Sequence, residues 1–251
     1  ITFNKIPIIL AKNNSVKSSG DFCINIFSSN QKTSVEEYYL STSRSSIDIS
    51  SPSKSGAMHA IQTLKQLFSL SVKKEEMNKQ INSSHLIIPM VSIEDYPVFS
   101  HRGLLLDCSR HFFSVETIKK YIDLLSFYKM NVLHWHLTED QGWRIQIDKY
   151  PELTKKGAWR KDERGDIYGG FYSKKEIKDI VSYAAQRHIT IIPEIEMPGH
   201  SQAAIASYPW LSCTGKKIEV ANDWGVFKEI YCAGKDSVFI FLENVLSEVM
   251  E

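Results

Sequence analysis

Three short segments concentrate the residues able to do chemistry. They are Asp107-Cys108-Ser109-Arg110-His111, the run from His134 to Arg144 (His-Trp-His-Leu-Thr-Glu-Asp-Gln-Gly-Trp-Arg), and Pro193-Glu194-Ile195-Glu196-Met197-Pro198-Gly199-His200. Carboxylates and histidines are the side chains that give and take protons near neutral pH. Arginine offers a rigid fork of donors for hydroxyl or carboxylate oxygens. Trp135, Trp143, Trp159 and Tyr172 lie within or close to these segments and could stack on the C–H face of a pyranose. Together the set suits a neutral, polyhydroxylated ligand. Each residue alone has a plainer reading: a helix cap, a loop hydrogen bond or core packing. His134 and His136 share one side of a strand and could chelate a metal, as in a metal-dependent barrel hydrolase. Buried histidines within a polar network would fit equally well.

The elements that must position these segments are legible as well. Each segment follows an apolar run read as a strand (103–107, 132–137 and 190–195), and each run is followed by a helical pattern (115–128, 173–187 and 237–250). Strands alternating with helices signal βα units and a parallel sheet. The loaded segments then sit at carboxyl ends, the face of a βα barrel that carries function. Ser114 with Thr117, and Ser173 with Glu176, fit helix-start patterns, the second a capping box. Ile118, Ile122 and Leu125, and then Ile177, Ile180, Val181 and Ala184, each form one apolar stripe.

Upstream of Pro97 the texture differs. Short alternations at 22–27, 38–40 and 47–49 read as strands, and 55–68 reads as a helix placing Ala57, Ile61, Leu64, Leu67 and Phe68 on one face. Residues 71–84, rich in Ser, Lys, Glu and Asn, read as a surface loop, and 85–90 and 91–95 as strand leading to a linker at Pro97. The expected organisation is a small α+β domain over 1–96 and an α/β domain over 97–251.

Composition narrows the partners. The chain has 251 residues, 43% hydrophobic and 24% charged, with a formal net charge of +1. No basic run points to nucleic acid or an anionic membrane, and no apolar stretch approaches the roughly 20 residues of a membrane span. The first residues, Ile1 to Pro7, lack a starting Met and a signal-peptide order, so any targeting segment is expected to have been removed. Cys23, Cys108, Cys213 and Cys232 show no zinc spacing and no dense framework. They read as buried thiols, although Cys213 and Cys232 flank one loop and could pair.

The strings from His101 to Phe113, from Lys129 to Arg144 and from Ile192 to His200 resemble the β-N-acetylhexosaminidases of glycoside hydrolase family 20, and the upstream region resembles that family's accessory domain. The resemblance implies a (β/α)8 TIM barrel, of which this chain carries the first three βα units. It implies exo-acting removal of terminal β-linked N-acetylglucosamine or N-acetylgalactosamine with retention of configuration. In such enzymes the substrate's own acetamido oxygen attacks the anomeric carbon. An Asp–Glu pair orients the acetamido group and protonates the leaving oxygen.

Carried over residue by residue, Arg102 resembles the arginine that holds the terminal sugar's hydroxyls. His200, Glu139 and Asp140 resemble members of the network that supports the acid. Many relatives have Asp-Asp where this chain has Glu139-Asp140, so either residue could make the critical contact. The Asp–Glu pair itself is expected downstream of residue 251. Asp162-Glu163, in a Lys/Arg/Gly-rich insertion, reads as solvated charge, and Glu94-Asp95 lies in the linker. No catalytic acid, metal or cofactor is therefore expected within these residues. Fewer residues follow Pro97 than the roughly 250 of a closed barrel, so the expected partners are a glycan and the remaining half of the barrel. The chain alone is expected to be inactive; the alternative readings are a non-catalytic carbohydrate-binding fragment and a metal-dependent barrel hydrolase. An extracytoplasmic location is implied by the resemblance only.

Overall fold

The computed structural model describes residues 23–30, 33–77, 88–162 and 164–251. The readings for Ile1 to Pro7, Phe22, 78–87 and Glu163 lie outside the described residues. The described residues fall into two compact units: those up to 102 together with 126–129, and those of 103–125 together with the described residues from 130 on.

The first unit is α+β. Strands β1 (Cys23–Ser28), β2 (Tyr38–Thr42), β3 (Ser46–Ser51) and β4 (Ser92–Asp95) form one sheet in the order β1-β3-β2-β4. β1 runs parallel to β3, whereas β2 is antiparallel to both β3 and β4. Period-two alternation sends Tyr38 and Leu40 of β2 and Ile47 and Ile49 of β3 inward, against Ala60 and Leu64 of helix α1 (Lys54–Met77). Because α1 crosses β2 closely, a Cβ on Gly56 would stand 2.3 Å from the Glu37 carbonyl oxygen. The helix runs past the 55–68 read from its apolar stripe, through residues expected to be loop. Lys, Glu and Met are strong helix formers, so a helix can continue there without an apolar stripe to reveal it. Residues 88–91 are not strand, and β4 begins at Ser92.

The second unit is α/β. Parallel strands β5 (Gly103–Asp107), β6 (Val132–His136) and β11 (Thr190–Glu194) form a sheet with β6 in the middle. Helix α2 (Val115–Phe127) links β5 to β6. Between β6 and helix α4 (Lys174–Ala185) lie the hairpin of β7 (Thr138–Glu139) and β8 (Gly142–Trp143), the short helix α3 (Glu152–Lys155), and the hairpin of β9 (Trp159–Lys161) and β10 (Ile167–Gly169). After β11 come helix α5 (Gln202–Ser207), a 3-10 turn (Pro209–Leu211), a loop and helix α6 (Asp236–Val249).

Leu106, Leu133 and Trp135 pack with Ile118, Ile122 and Leu125 of α2 and Ile180 and Ala184 of α4. The Ser173–Glu176 capping box is formed in full. Val181, expected in the α4 stripe, is exposed. Cys213 and Cys232 form a disulfide, while Cys108 is a buried thiol whose pKa burial pushes up to about 11. No helix among the described residues is long and apolar enough to cross a membrane.

Candidate active site

Parallel pairing sets the first row of the site. Asp107, His136 and Glu194 are register partners at the carboxyl ends of β5, β6 and β11. Register partners in a parallel sheet share a face, so all three side chains issue on one side, with His134 two residues earlier on β6. His134 Nε2 lies 2.8 Å from Glu194 Oε2, and His136 Nδ1 lies 3.6 Å from Asp107 Oδ1.

Just past β5 the chain folds back on its own carboxylate. Asp107 Oδ1 accepts from the backbone N–H groups of Ser109, at 3.1 Å, and Arg110, at 2.9 Å. This side-chain-to-backbone turn, typical of Asp, brings the Arg110 guanidinium round to donate to Asp107 Oδ2 at 2.7 Å through Nη1 and to Glu139 Oε1 through Nη2. Glu139 Oε1 also meets His200 Nδ1 at 2.8 Å, and its Oε2 accepts from the Asp140 N–H at 2.6 Å. Asp140 Oδ1 accepts from the Gln202 N–H at 2.9 Å, and Oδ2 lies 3.7 Å from His200 Nδ1. The carboxylate side chain of Glu139 is only 1% exposed, so Arg110 supplies the countercharge that a buried anion requires and His200 a further polar contact. His200 holds a φ of +52°, a region few non-glycine residues occupy.

A buried arginine braces these loops. Arg144 Nε donates to the carbonyl oxygens of Cys108 and Ser109, Nη1 to those of Ala158 and Gly170, and Nη2 to that of Ser109. Burial first, and the Arg160 charge second, bring its pKa down to about 10. Gly142 is required beside it, because a Cβ there would stand 2.2 Å from Arg144 Nη2. Arg160 adds bonds to the carbonyl oxygens of Gln141 and Arg110, both 2.8 Å. The segment after β11 is tied in by the Glu196 N–H, which donates to Thr138 Oγ1 at 2.8 Å.

The network divides its carboxyls by acidity. Burial works against the Asp107 carboxylate, but the Arg110 backbone and side-chain bonds and the His136 charge outweigh it and hold its pKa below the ordinary value. Asp140 is pushed the other way, by burial and by the Glu139 charge, against the Gln202 bond and His200. Glu196 is raised by burial and by the Glu194 and Glu139 charges. Carboxyls driven apart in acidity within one cluster are a feature shared by acid–base sites and by structural ion-pair networks.

Of the residues expected at the site, Glu139, Asp140 and His200 stand together. Arg102 is spent in the first unit: Nε donates to the Lys129 carbonyl at 2.8 Å, Nη1 to the Phe99 carbonyl at 2.8 Å, and Nη2 to Glu36 Oε1 at 3.0 Å. The arginine set against Glu139 is Arg110. Sequence reading placed Arg110 in the loaded segment after the first strand but gave the sugar-holding role to Arg102; its place just beyond a strand's carboxyl end, three residues after Asp107, was the available signal.

The expected stacking aromatics are corrected too. Trp135, Trp143 and Tyr172 are 1%, 2% and 0% exposed and belong to the core. Trp159 is part exposed, with its indole N–H bonded to the Thr154 carbonyl. For a metal, the groups whose ligand atoms come together among the described residues are His136 with Glu139 and Glu196, and Glu139 with Asp140 and His200; neither includes His134. Glu139, common to both, is already neutralised by Arg110. Asp162 Oδ1 accepts from the N–H groups of Arg164 and Asp166 at the turn between β9 and β10.

The geometry has counterparts among known proteins. Residues 99–251 match the family described as glycosyl hydrolase family 20, catalytic domain, and residues 5–96 match glycosyl hydrolase family 20, domain 2. A beta-hexosaminidase of Porphyromonas gingivalis is 47% identical over 218 residues, covering 85% of this chain and 27% of its own length. The solved beta-N-acetylhexosaminidase of Streptomyces coelicolor superposes with a TM-score of 0.82 at 37% identity, covering 92% of this chain and 46% of that one. The exo beta-N-acetylglucosaminidase of Vibrio harveyi, solved in complex with N-acetylglucosamine, gives a TM-score of 0.74 at 36% identity, covering 92% of this chain and 36% of that one. The chain thus spans less than half the length of each of these relatives. With both of its parts matched, in order and over nearly all its residues, this chain belongs to glycosyl hydrolase family 20.

Proposed function

We propose that the protein is an exo-acting β-N-acetylhexosaminidase, in which these residues supply the part of the site that grips the terminal sugar. The observation that carries this reading is the chain of contacts Asp107–Arg110–Glu139–His200 at the carboxyl ends of three parallel strands. A guanidinium fixed by two carboxylates still has N–H groups to spare, since each terminal nitrogen carries two. Such a fork suits paired ring hydroxyls, and the buried Glu139 and Asp140 accept from hydroxyl groups or hold His200 in place. The hydroxyl-binding role falls to Arg110 rather than Arg102. The Asp–Glu pair that would orient the acetamido group and protonate the leaving oxygen is assigned to the part of the catalytic domain outside these 251 residues.

Completion of the three βα units to a (β/α)8 barrel is part of the same proposal. Leu105 and Ile192 are exposed on the face of the sheet that carries Asp107 and Glu194, whereas parallel sheets are ordinarily covered on both faces. The Cys213–Cys232 disulfide supports an extracytoplasmic location, because such bonds persist in oxidising compartments.

The test uses the enzyme with its complete catalytic domain, offered p-nitrophenyl β-N-acetylglucosaminide, the matching galactosaminide, and the β-glucoside that lacks the acetamido group. Release from the first two with retained configuration, none from the glucoside, and indifference to a chelator are expected. Hydrolysis of the glucoside at a similar rate would refute substrate assistance. Loss of activity with chelator would favour a metal-dependent hydrolase.

A further inference from the structure

The sheet of the first unit carries a cavity on the face turned away from α1. Tyr39 on β2 is in register with Ser50 on β3 and Glu94 on β4. The adjacent row, Leu40, Ile49 and Ile93, packs into the core with α1. Successive side chains of a strand point to opposite faces, so Tyr39, Ser50 and Glu94 issue outward. Together with Glu37 and Tyr96 they line a cavity of about 310 Å³, at the lower end of the range for small-molecule sites. Its charge is one-sided: Glu37 and Glu94 line it, and no Lys, Arg or His does among the described residues. Glu37 Oε2 accepts from the N–H groups of Thr33 and Ser34, whereas Oε1 is buried with no hydrogen-bond partner. A buried carboxylate oxygen without a partner is destabilising, and a cation is the partner that suits it. Among the described residues, no group of three metal-ligating side chains includes Glu37 or Glu94, which favours an organic cation over a metal ion. Tyr39 and Tyr96, 43% and 50% exposed, supply ring faces that attract an ammonium group. The hydroxyls of Ser29 and Ser50 add neutral donors and acceptors to the wall.

We propose that this cavity binds a polyhydroxylated organic cation, an amino sugar whose amine is free and protonated. The ammonium group meets the Glu37 and Glu94 carboxylates and a tyrosine ring, and the serine hydroxyls pair with those of the sugar. A sugar that is neutral at this position, whether acetylated on nitrogen or lacking the nitrogen, leaves both carboxylates without a countercharge. The cavity therefore discriminates by charge. All of its lining residues belong to the first unit, and the proposal stands independently of the hexosaminidase reading.

The test is calorimetric titration of the protein carrying its complete catalytic domain, at about pH 6, below the ordinary pKa of an amine. N-acetylglucosamine is kept in excess throughout, so that a terminal-sugar pocket is already filled. Glucosamine and glucose are titrated into wild type, Glu94→Gln and Tyr96→Ala. Both residues are exposed, so the variants should keep the wild-type unfolding midpoint, and if Glu94→Gln does not, Tyr96→Ala decides. Wild type is expected to bind glucosamine, and glucose at least about tenfold more weakly. Glu94→Gln should weaken glucosamine about tenfold, the loss of one charge-assisted bond, and Tyr96→Ala about threefold, the loss of an exposed cation–π contact. Absence of glucosamine binding overturns the proposal, as does binding that both variants leave unchanged. Glucose binding as tight as that of glucosamine also overturns it, by revealing a site for neutral sugars. Heat of binding is read rather than turnover, so a protein that cleaves no glycoside would sink the hexosaminidase reading and leave this test in force.

Discussion

Substituting Arg110 tests the centre of the network. Its guanidinium spans two carboxylates, Asp107 Oδ2 at 2.7 Å and Glu139 Oε1. A lysine keeps the charge but presents one compact ammonium and cannot reproduce a planar fork. Losing one charge-assisted bond costs about 1.5–3 kcal/mol. At 1.36 kcal/mol per factor of ten, Arg110→Lys should lower kcat/KM by roughly 10- to 150-fold in the complete enzyme. Arg110→Ala goes further, because Glu139, with its side chain 1% exposed, loses its guanidinium partner and keeps only the His200 contact and the Asp140 N–H. Breaking a buried pair in this way typically costs about 3–5 kcal/mol of stability.

The stability loss also has a pH signature. In wild type Asp107 has a pKa depressed below its ordinary 3.8, so its contribution is present above 3.8 and is lost as pH falls through the lower folded value. Arg110→Ala keeps the backbone N–H bond to Asp107 and removes only the side-chain bond and the charge, so part of the depression is relieved; the gap between the two proteins should be constant near neutrality and narrow below pH 3.8 by that part. The assays are chromogenic glycoside kinetics and urea unfolding across pH. An Arg110→Lys enzyme with unchanged kcat/KM would refute the reasoning.

Four further outcomes are expected. Arg102→Ala should lower stability, by stripping Glu36 of a partner 3.0 Å away, and leave N-acetylglucosamine inhibition unmoved; a large rise in that inhibition constant would return Arg102 to the sugar site. Asp140 has a raised pKa, so its ionisation opposes folding as pH climbs from 3.8 through the folded value. Asp140→Asn should therefore be more stable than wild type at pH 7 and alike below pH 3.8, at a loss of activity, and urea midpoints showing wild type the more stable at pH 7 would contradict this. Arg144→Met strips donors from five backbone carbonyls, of which Ala158 keeps the Gly170 N–H and Gln141 keeps Arg160; at about 1–3 kcal/mol for each of the remaining three the change should cost at least about 3 kcal/mol, and a loss under about 1 kcal/mol by urea unfolding would remove Arg144 as the brace. Serine at both Cys213 and Cys232 should cost about 3 kcal/mol, the loop-closure value for a separation of 19 residues, and an unshifted unfolding midpoint would deny the disulfide that role.

How much of this was legible before folding depends on the range of the forces involved. Helix starts are set within four residues, so Ser173 and Glu176 announced their capping box. Period and run length placed β5, β6 and β11 and the polar segments at their ends, and within those segments the family resemblance named Glu139, Asp140 and His200 in advance. Local composition misled at 71–77, where a polar helix has no apolar stripe to betray it. It misled again with Trp135, Trp143 and Tyr172, since an aromatic near a polar cluster has the same sequence whether it faces a ligand or the core.

What the sequence by itself determined was the order of βα units, the polar character of their carboxyl ends and the family to which they belong. What only the tertiary structure decided was pairing. Arg102 and Arg110 lie eight positions apart on one run of chain. Glu36 claims the first, 66 residues away, and Glu139 the second, 29 residues away. The Cys213–Cys232 bond and the approach of Arg110 to the Trp224 ring are likewise contacts between residues distant in sequence. Ion pairs, disulfides and ring contacts act over a few ångströms, and only the packed chain brings distant residues within that range.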